Sequence, residues 1–289
     1  MRRRLAIRRL SWCCVLSLLL AAIIPSPAAA QSPGVGIWEL SSRQEAFMLR
    51  INPSSDLDRF DTLRSDFIRF GCATHPHDLV EQPAMTGHDD PGNAPRNLVC
   101  TLPGRYTPQL VVATSYAVHG ASPANWPDAV LLPILFQSLQ AQMRNFTWVF
   151  AELAGDEGVS TFFDSLRSGP QPMAIIVLDG VGTTPPHFGA TGPRGDLQVH
   201  RILEEQARRI AELQGFGGSR SDHKQNREAT PSLFGAPLAD AAHEIPRVVV
   251  YSTPGPPLTP AAFHHDFELL AYYFCAVDLN LNPLAGTPD

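Results

Sequence analysis

Three apolar runs of strand length occupy the middle of the chain, at 110–116, 146–150 and 173–178, and each ends in small or polar residues. Between the first two, residues 128–144 are long and apolar enough for a helix, so the spacing predicts the order strand, helix, strand, loop, strand. Near-continuous apolar strands alternating with a helix indicate a parallel sheet buried on both faces. Ligands of such sheets sit at the carboxyl ends of the strands, which makes Ser115, Asp156 and Asp179 the first candidate site residues.

The rest of the chain is read against this centre. Leu57, Phe60, Leu63 and Phe67 recur at helical spacing and predict a helix over 57–70. Residues 75–96, rich in Pro, His, Asp and Gly, read as an exposed loop. Residues 97–102 read as a strand, Pro103-Gly104 as a turn, and 110–116 as the hairpin partner beyond it. The helix from Asp128 has a broad apolar face, and Pro133 is costly in it outside the first turns. A Pro- and Gly-rich loop at 183–194 leads to an amphipathic helix over 197–213, and a polar segment follows at 215–232. Residues 247–251 form a last core strand, and Thr259-Pro260 caps a final helix running to about 277. No internal repeat interrupts this order.

Composition adds compartment and excludes some partners. Five arginines among the first nine residues precede an apolar run at 12–24, and Ala28-Ala29-Ala30 supplies a small-residue cleavage site before Gln31. Residues 1–30 thus read as a secretory signal peptide, and 31–289 as a single α/β domain, secreted or periplasmic, with no membrane span after the signal is removed. The formal charge of −6 and the lack of a basic cluster after residue 30 argue against nucleic acid. In an oxidising compartment Cys72 and Cys100 are the favoured disulfide pair, with Cys275 left over. Asn145-Phe-Thr147 fits the glycosylation pattern but abuts a core strand.

The order of motifs resembles metallopeptidase family twenty-eight, the di-zinc aminopeptidases and glutaminyl cyclases. Asn97-Leu-Val-Cys-Thr-Leu-Pro-Gly104 is similar to that family's Asn-Val-Ile-Ala-x-Leu-Pro-Gly, Leu178-Asp-Gly-Val-Gly182 to its Leu-Asp-Met-Ile-Gly, and Tyr251-Ser-Thr-Pro254 to its Tyr-His-Thr-Pro. The resemblance covers about residues 97–254. It implies a three-layer α/β/α sandwich with a mixed, mostly parallel sheet, as in zinc exopeptidases. It also implies a site in which His, carboxylate and a shared Asp hold two zinc ions and a Glu activates water.

Carried over residue by residue, the metal-ligand positions fall on Ser115, Asn125, Asp156, Asp179 and Ser252. Ala117 stands where an orienting Asp is expected and Trp126 where an Asn follows the bridging Asp. The Glu pair falls on Gly155 and Asp156 if Gly158 is kept in register, or on Ala154 and Gly155 otherwise. Of potential metal ligands only Asp156 and Asp179 remain, and neutral hydroxyl or amide groups are poor zinc ligands beside imidazole or carboxylate.

The resemblance therefore leads to a non-catalytic, peptidase-like protein that takes no cofactor and binds a peptide or partner protein at Ser115, Asn125, Asp156, Asp179 and Ser252. The alternative is an active metallo-exopeptidase with zinc at a reduced or relocated site. Glu152 or Glu157 would then be the base, and His119, His187, His243 or Ser221-Asp222-His223 would be donors, whereas His264-His265-Asp266 diverge around a helix. A third reading, a Ser-His-Asp hydrolase built on Ser115, lacks the Gly-x-Ser-x-Gly elbow.

Overall fold

A computed structural model describes residues 41–74, 78–84, 95–118, 126–142, 144–169, 171–181, 186–191, 197–213, 245–252 and 258–281. The expected signal peptide, Asn125 and the polar segment 215–232 lie outside these residues, as do His119, His243 and Ser221-Asp222-His223. In chain order the elements are α1 (Ser42–Arg50), α2 (Asp56–Arg69), β1 (Asp78–Pro83), β2 (Arg96–Leu102), β3 (Tyr106–Ser115) and α3 (Trp126–Gln140). They continue as β4 (Phe146–Leu153), α4 (Gly155–Ser168), β5 (Ala174–Asp179), β6 (His187–Thr191), α5 (Leu197–Leu213), β7 (Arg247–Tyr251) and α6 (Pro260–Leu281).

The seven strands form one sheet in the order β1-β2-β4-β3-β5-β7-β6. The central four, β4, β3, β5 and β7, are mutually parallel, and β1, β2 and β6 run antiparallel to their neighbours. From β3 the chain steps through α3 to β4 on one side, then back through α4 to β5 on the other side of β3. Right-handed crossovers in opposite directions put their helices on opposite faces, and the core divides accordingly. Leu110, Val112, Trp148, Phe150, Ile176 and Val250 pack on one face with residues of α2, α3, α5 and α6. Val111, Ala113, Val149, Ala151, Val177 and Val249 pack on the other with Val159, Phe162 and Phe163 of α4. This is the mixed α/β layering that the strand pattern predicts.

Several local expectations change. The segment 110–116 is not the hairpin partner of 97–102, because β4 lies between them, antiparallel to β2 and parallel to β3. The reason is visible at the turn: a Cβ on Gly104 would fall 2.0 Å from the Phe146 carbonyl oxygen. The chain therefore passes tightly over the start of β4, where the Arg105 and Tyr106 N–H groups donate to the carbonyls of Arg144 and Asn145. A strand apolar on both faces gains most by pairing on both edges, and β4 takes that place. The expected loop at 75–96 contains edge strand β1, whose half-exposed pattern needs no apolar run. Edge strand β6 likewise sits inside the expected loop 183–194. The loop expected between β4 and β5 is α4, with Val159, Phe162, Phe163 and Leu166 along one side.

Other expectations hold. Thr259 caps α6, its Oγ1 accepting the Ala262 N–H at 3.1 Å. Pro133 sits in the interior of α3, in a helix almost wholly enclosed by core, and packing rather than propensity holds it there. Cys72 and Cys100 are disulfide-bonded across a sequence separation of 28, tying the chain after α2 to the middle of β2. Closing a loop of that length contributes about 3–4 kcal/mol through the unfolded chain. Among the described residues no helix is long and apolar enough to cross a membrane.

Candidate functional site at the carboxyl ends of the parallel strands

The four parallel strands end side by side at Leu153, Ser115, Asp179 and Tyr251, and each exit is fixed by polar contacts. After β3 the chain is held from α2. The Arg59 guanidinium, buried against the Trp126 ring at 5.1 Å, donates from Nη1 to the Tyr116 carbonyl at 2.9 Å, and Asp56 accepts the Val118 N–H. Tyr116 turns inward and donates its hydroxyl to the Arg96 carbonyl at 2.6 Å, and burial pushes its phenol well above the usual range.

After β4 the turn into α4 is held by Asn97 of β2. Its Oδ1 accepts the Ala154 N–H at 3.0 Å and its Nδ2 donates to the Gly158 carbonyl at 2.8 Å. A Cβ at Gly158 would meet Asn97 Oδ1 at 2.3 Å, so this staple requires glycine there. Asn97 opens the first of the similar motifs, and Gly158 is the residue whose register places the Glu pair on Gly155 and Asp156; the two are in direct contact.

The β5 exit is tied to α3. The Gly180 N–H donates to Asp128 Oδ2 at 2.6 Å and the Val181 N–H to Asp128 Oδ1 at 2.7 Å, while Gly180 takes the left-handed conformation with φ +88°. The Gly180 carbonyl accepts the Ser252 N–H at 3.2 Å, which joins the β7 exit to the same turn. The His187 ring lies over the Tyr251 ring, 5.6 Å between centroids, at the edge of this row.

Among the described residues four carboxyl groups are buried in this part of the molecule: Asp128, Glu152, Asp179 and Asp266. Burial pushes the Asp128 carboxyl well up, the Gly180 and Val181 N–H groups pull it down, and Asp179 and Asp266 push it further up. Burial raises Glu152 well above the ordinary carboxyl range, and the neighbouring Asp128 adds to the shift. Both oxygens of Glu152 are sealed from solvent without a hydrogen-bond partner, and so is the hydroxyl of Thr114, its neighbour in the β3–β4 register. A carboxyl group in that setting keeps its proton.

The predicted site residues separate in space. Ser115 is buried at the end of β3, Asp179 is 4% exposed at the end of β5, and Ser252 is half-buried after β7. Asp156 is exposed in the first turn of α4. Asp179 and Ser252 are brought together through the Gly180 turn, and Asp156 is not part of that group. Among the described residues no three His, Cys, Asp or Glu side chains gather so as to hold a metal ion. The donor set here, two serine hydroxyls, one buried acid and one exposed acid, does not fit a pair of zinc ions.

Sequence reasoning passed over Asp128, reading it only as a helix start. The signal was present: a lone acid in the first turn of an otherwise apolar helix needs donors when that turn is buried. His264 Nδ1 lies 2.6 Å from Glu45 Oε1 of α1, while Asp266, two residues on, is buried.

No protein-family model matches the sequence, and no curated protein sequence matches it. Solved structures do match. A glutaminyl cyclase from an Acidobacteriales bacterium superposes with a TM-score of 0.58 at 12% identity, covering 90% of this chain and 100% of its own. The glutaminyl cyclase of Fimbriiglobus ruber gives 0.57 at 14% identity, over 83% and 97%. The LapA aminopeptidase of Legionella pneumophila gives 0.55 at 12% identity, over 82% and 70%. At such identities the likeness is one of fold, and the chain has the α/β fold that zinc exopeptidases and glutaminyl cyclases share.

Proposed function

We propose that this protein is a non-catalytic binding protein built on the exopeptidase fold, which engages a peptide or partner protein at the carboxyl ends of its parallel strands. The observation that carries this reading is the donor set at that edge: Ser115 and Ser252 stand with Asp179 where the resemblance expects metal ligands, and Asp156 is turned out to solvent. Hydroxyls bind zinc poorly, and among the described residues no group of three His, Cys, Asp or Glu side chains is gathered so as to hold a metal ion. The backbone of each strand exit is committed to structural hydrogen bonds, which suits a rigid recognition surface.

The reading places residues 31–289 outside the cytoplasm as one domain, supported by the leader-like pattern at 1–30 and by the Cys72–Cys100 disulfide. A metallo-exopeptidase with a relocated site is the second reading, favoured by the four buried acids at the same edge.

One measurement separates them: zinc content of the purified mature protein by elemental analysis, before and after chelation and zinc addition, beside aminopeptidase and glutaminyl cyclase assays. The expected result is less than about 0.1 zinc per chain and no turnover, since tight structural or catalytic sites hold zinc near stoichiometrically. One or two retained ions, lost on Asp179→Ala and accompanied by activity, would establish the enzyme instead.

A further inference from the structure

The resemblance expects metal ions to link segments that here are joined by a single side chain. Asp128 lies in the first turn of α3, fully buried, and each of its carboxylate oxygens receives one backbone N–H from the two residues following Asp179. The carbonyl of the first of these, Gly180, receives the Ser252 N–H. The start of α3, the exit of β5 and the exit of β7 are therefore joined by one continuous path of hydrogen bonds.

From this geometry we propose that Asp128 is the cross-link of the strand-end edge, so that the edge is assembled and stable with no metal bound. The inference rests on the non-catalytic reading only in placing no ion at this edge. Its physical basis is independent: a buried carboxyl group that accepts one backbone N–H on each oxygen has both acceptors satisfied where water does not reach, and it ties together two segments distant in sequence. Removing Asp128 takes away the acceptor shared by two backbone N–H groups, one on half-buried Gly180 and one on buried Val181. The same two N–H dipoles point their positive ends at the carboxylate and so oppose the approach of a cation to it.

The test uses the full mature chain. Its thermal midpoint should move by less than about one degree in excess EDTA or excess zinc chloride, whereas an ion that held the edge would shift it by several degrees. Asp128→Ala should lower the midpoint by about 10 °C, with no recovery on adding zinc. Asp128→Asn keeps one acceptor oxygen and should still fold, and its Gly180 and Val181 amides should exchange with solvent at least about tenfold faster than in the parent.

A parent midpoint raised several degrees by zinc, or Gly180 and Val181 amides equally protected in the Asn variant, would overturn the assignment. Turnover by the metal-free protein would overturn the non-catalytic reading and leave Asp128 as the cross-link. Unchanged amides in a protein without zinc or turnover would do the reverse.

Discussion

Strand β4 carries a buried carboxyl group at each end of its environment, and the two are treated oppositely. Where the strand begins, Asp278 of α6 is 4% exposed and accepts three hydrogen bonds, from the N–H of Asn145 at 2.8 Å, the N–H of Phe146 at 3.1 Å and Trp148 Nε1 at 3.0 Å. Where it ends, Glu152 is 0% exposed and accepts none. One acid anchors the last helix to the sheet, and the other is a burden the fold carries beside the strand exits. A buried polar group is structural when its partners are present, and a liability or a poised chemical group when they are not.

The largest effect expected from this contrast is at Asp278. Asp278→Ala strands three donors, two of them buried, and should cost about 4 kcal/mol in urea unfolding at neutral pH. A loss below about 1 kcal/mol would mean that the donors find other acceptors and that the contrast is only apparent.

Glu152 should behave with the opposite sign. Glu152→Met removes an unmet buried acid at similar volume and should gain about 1–2 kcal/mol at pH 8. The folded protein holds the Glu152 proton to higher pH than the unfolded chain, whose glutamate ionises near 4.5. The unfolded state therefore binds fewer protons above that pH, and stability falls as pH rises toward the folded value. The gain from Glu152→Met should accordingly be smaller at pH 4 than at pH 8. Equal gains at both values would show that the fold does not raise the Glu152 carboxyl.

The smallest effect is expected on the outer side of α5, where Arg208 and Arg209 pair with Glu205 and Glu212 in solvent. Arg208→Ala should leave the thermal midpoint unchanged within about one degree, as exposed pairs contribute little. A larger drop would show that ion pairs matter here without burial, and would weaken the lesson drawn from β4.

Much of this was legible in local pattern. The runs at 110–116, 146–150 and 173–178 became β3, β4 and β5, and the stripe of Ile202, Leu203, Ala207 and Ile210 became the packed side of α5. Edge strands β1 and β6 were hidden because an edge needs no apolar alternation, and α4 because Gly155, Gly158 and several hydroxyl residues dilute its stripe. At the candidate site, the residues named from motif order were legible only as positions. That Asp179 and Ser252 meet through Gly180 while Asp156 faces water depends on where α4 starts and how β7 ends, and neither follows from residue types.

By itself, then, the sequence determined the class of fold, most of its strands and helices, the cap at Thr259 and the presence of Ser or Asn at three of the five positions that the motif order marks. These are properties of residue type and short-range period, which each segment carries wherever it is placed. Strand order, the insertion of β4 between β2 and β3, and the roles of Asp128, Glu152 and Asp278 were decided only in three dimensions. Asp278 meets Trp148 across 130 residues, and which distant donor reaches a buried acid is settled by the competition of all apolar faces for burial, not by anything local to that acid.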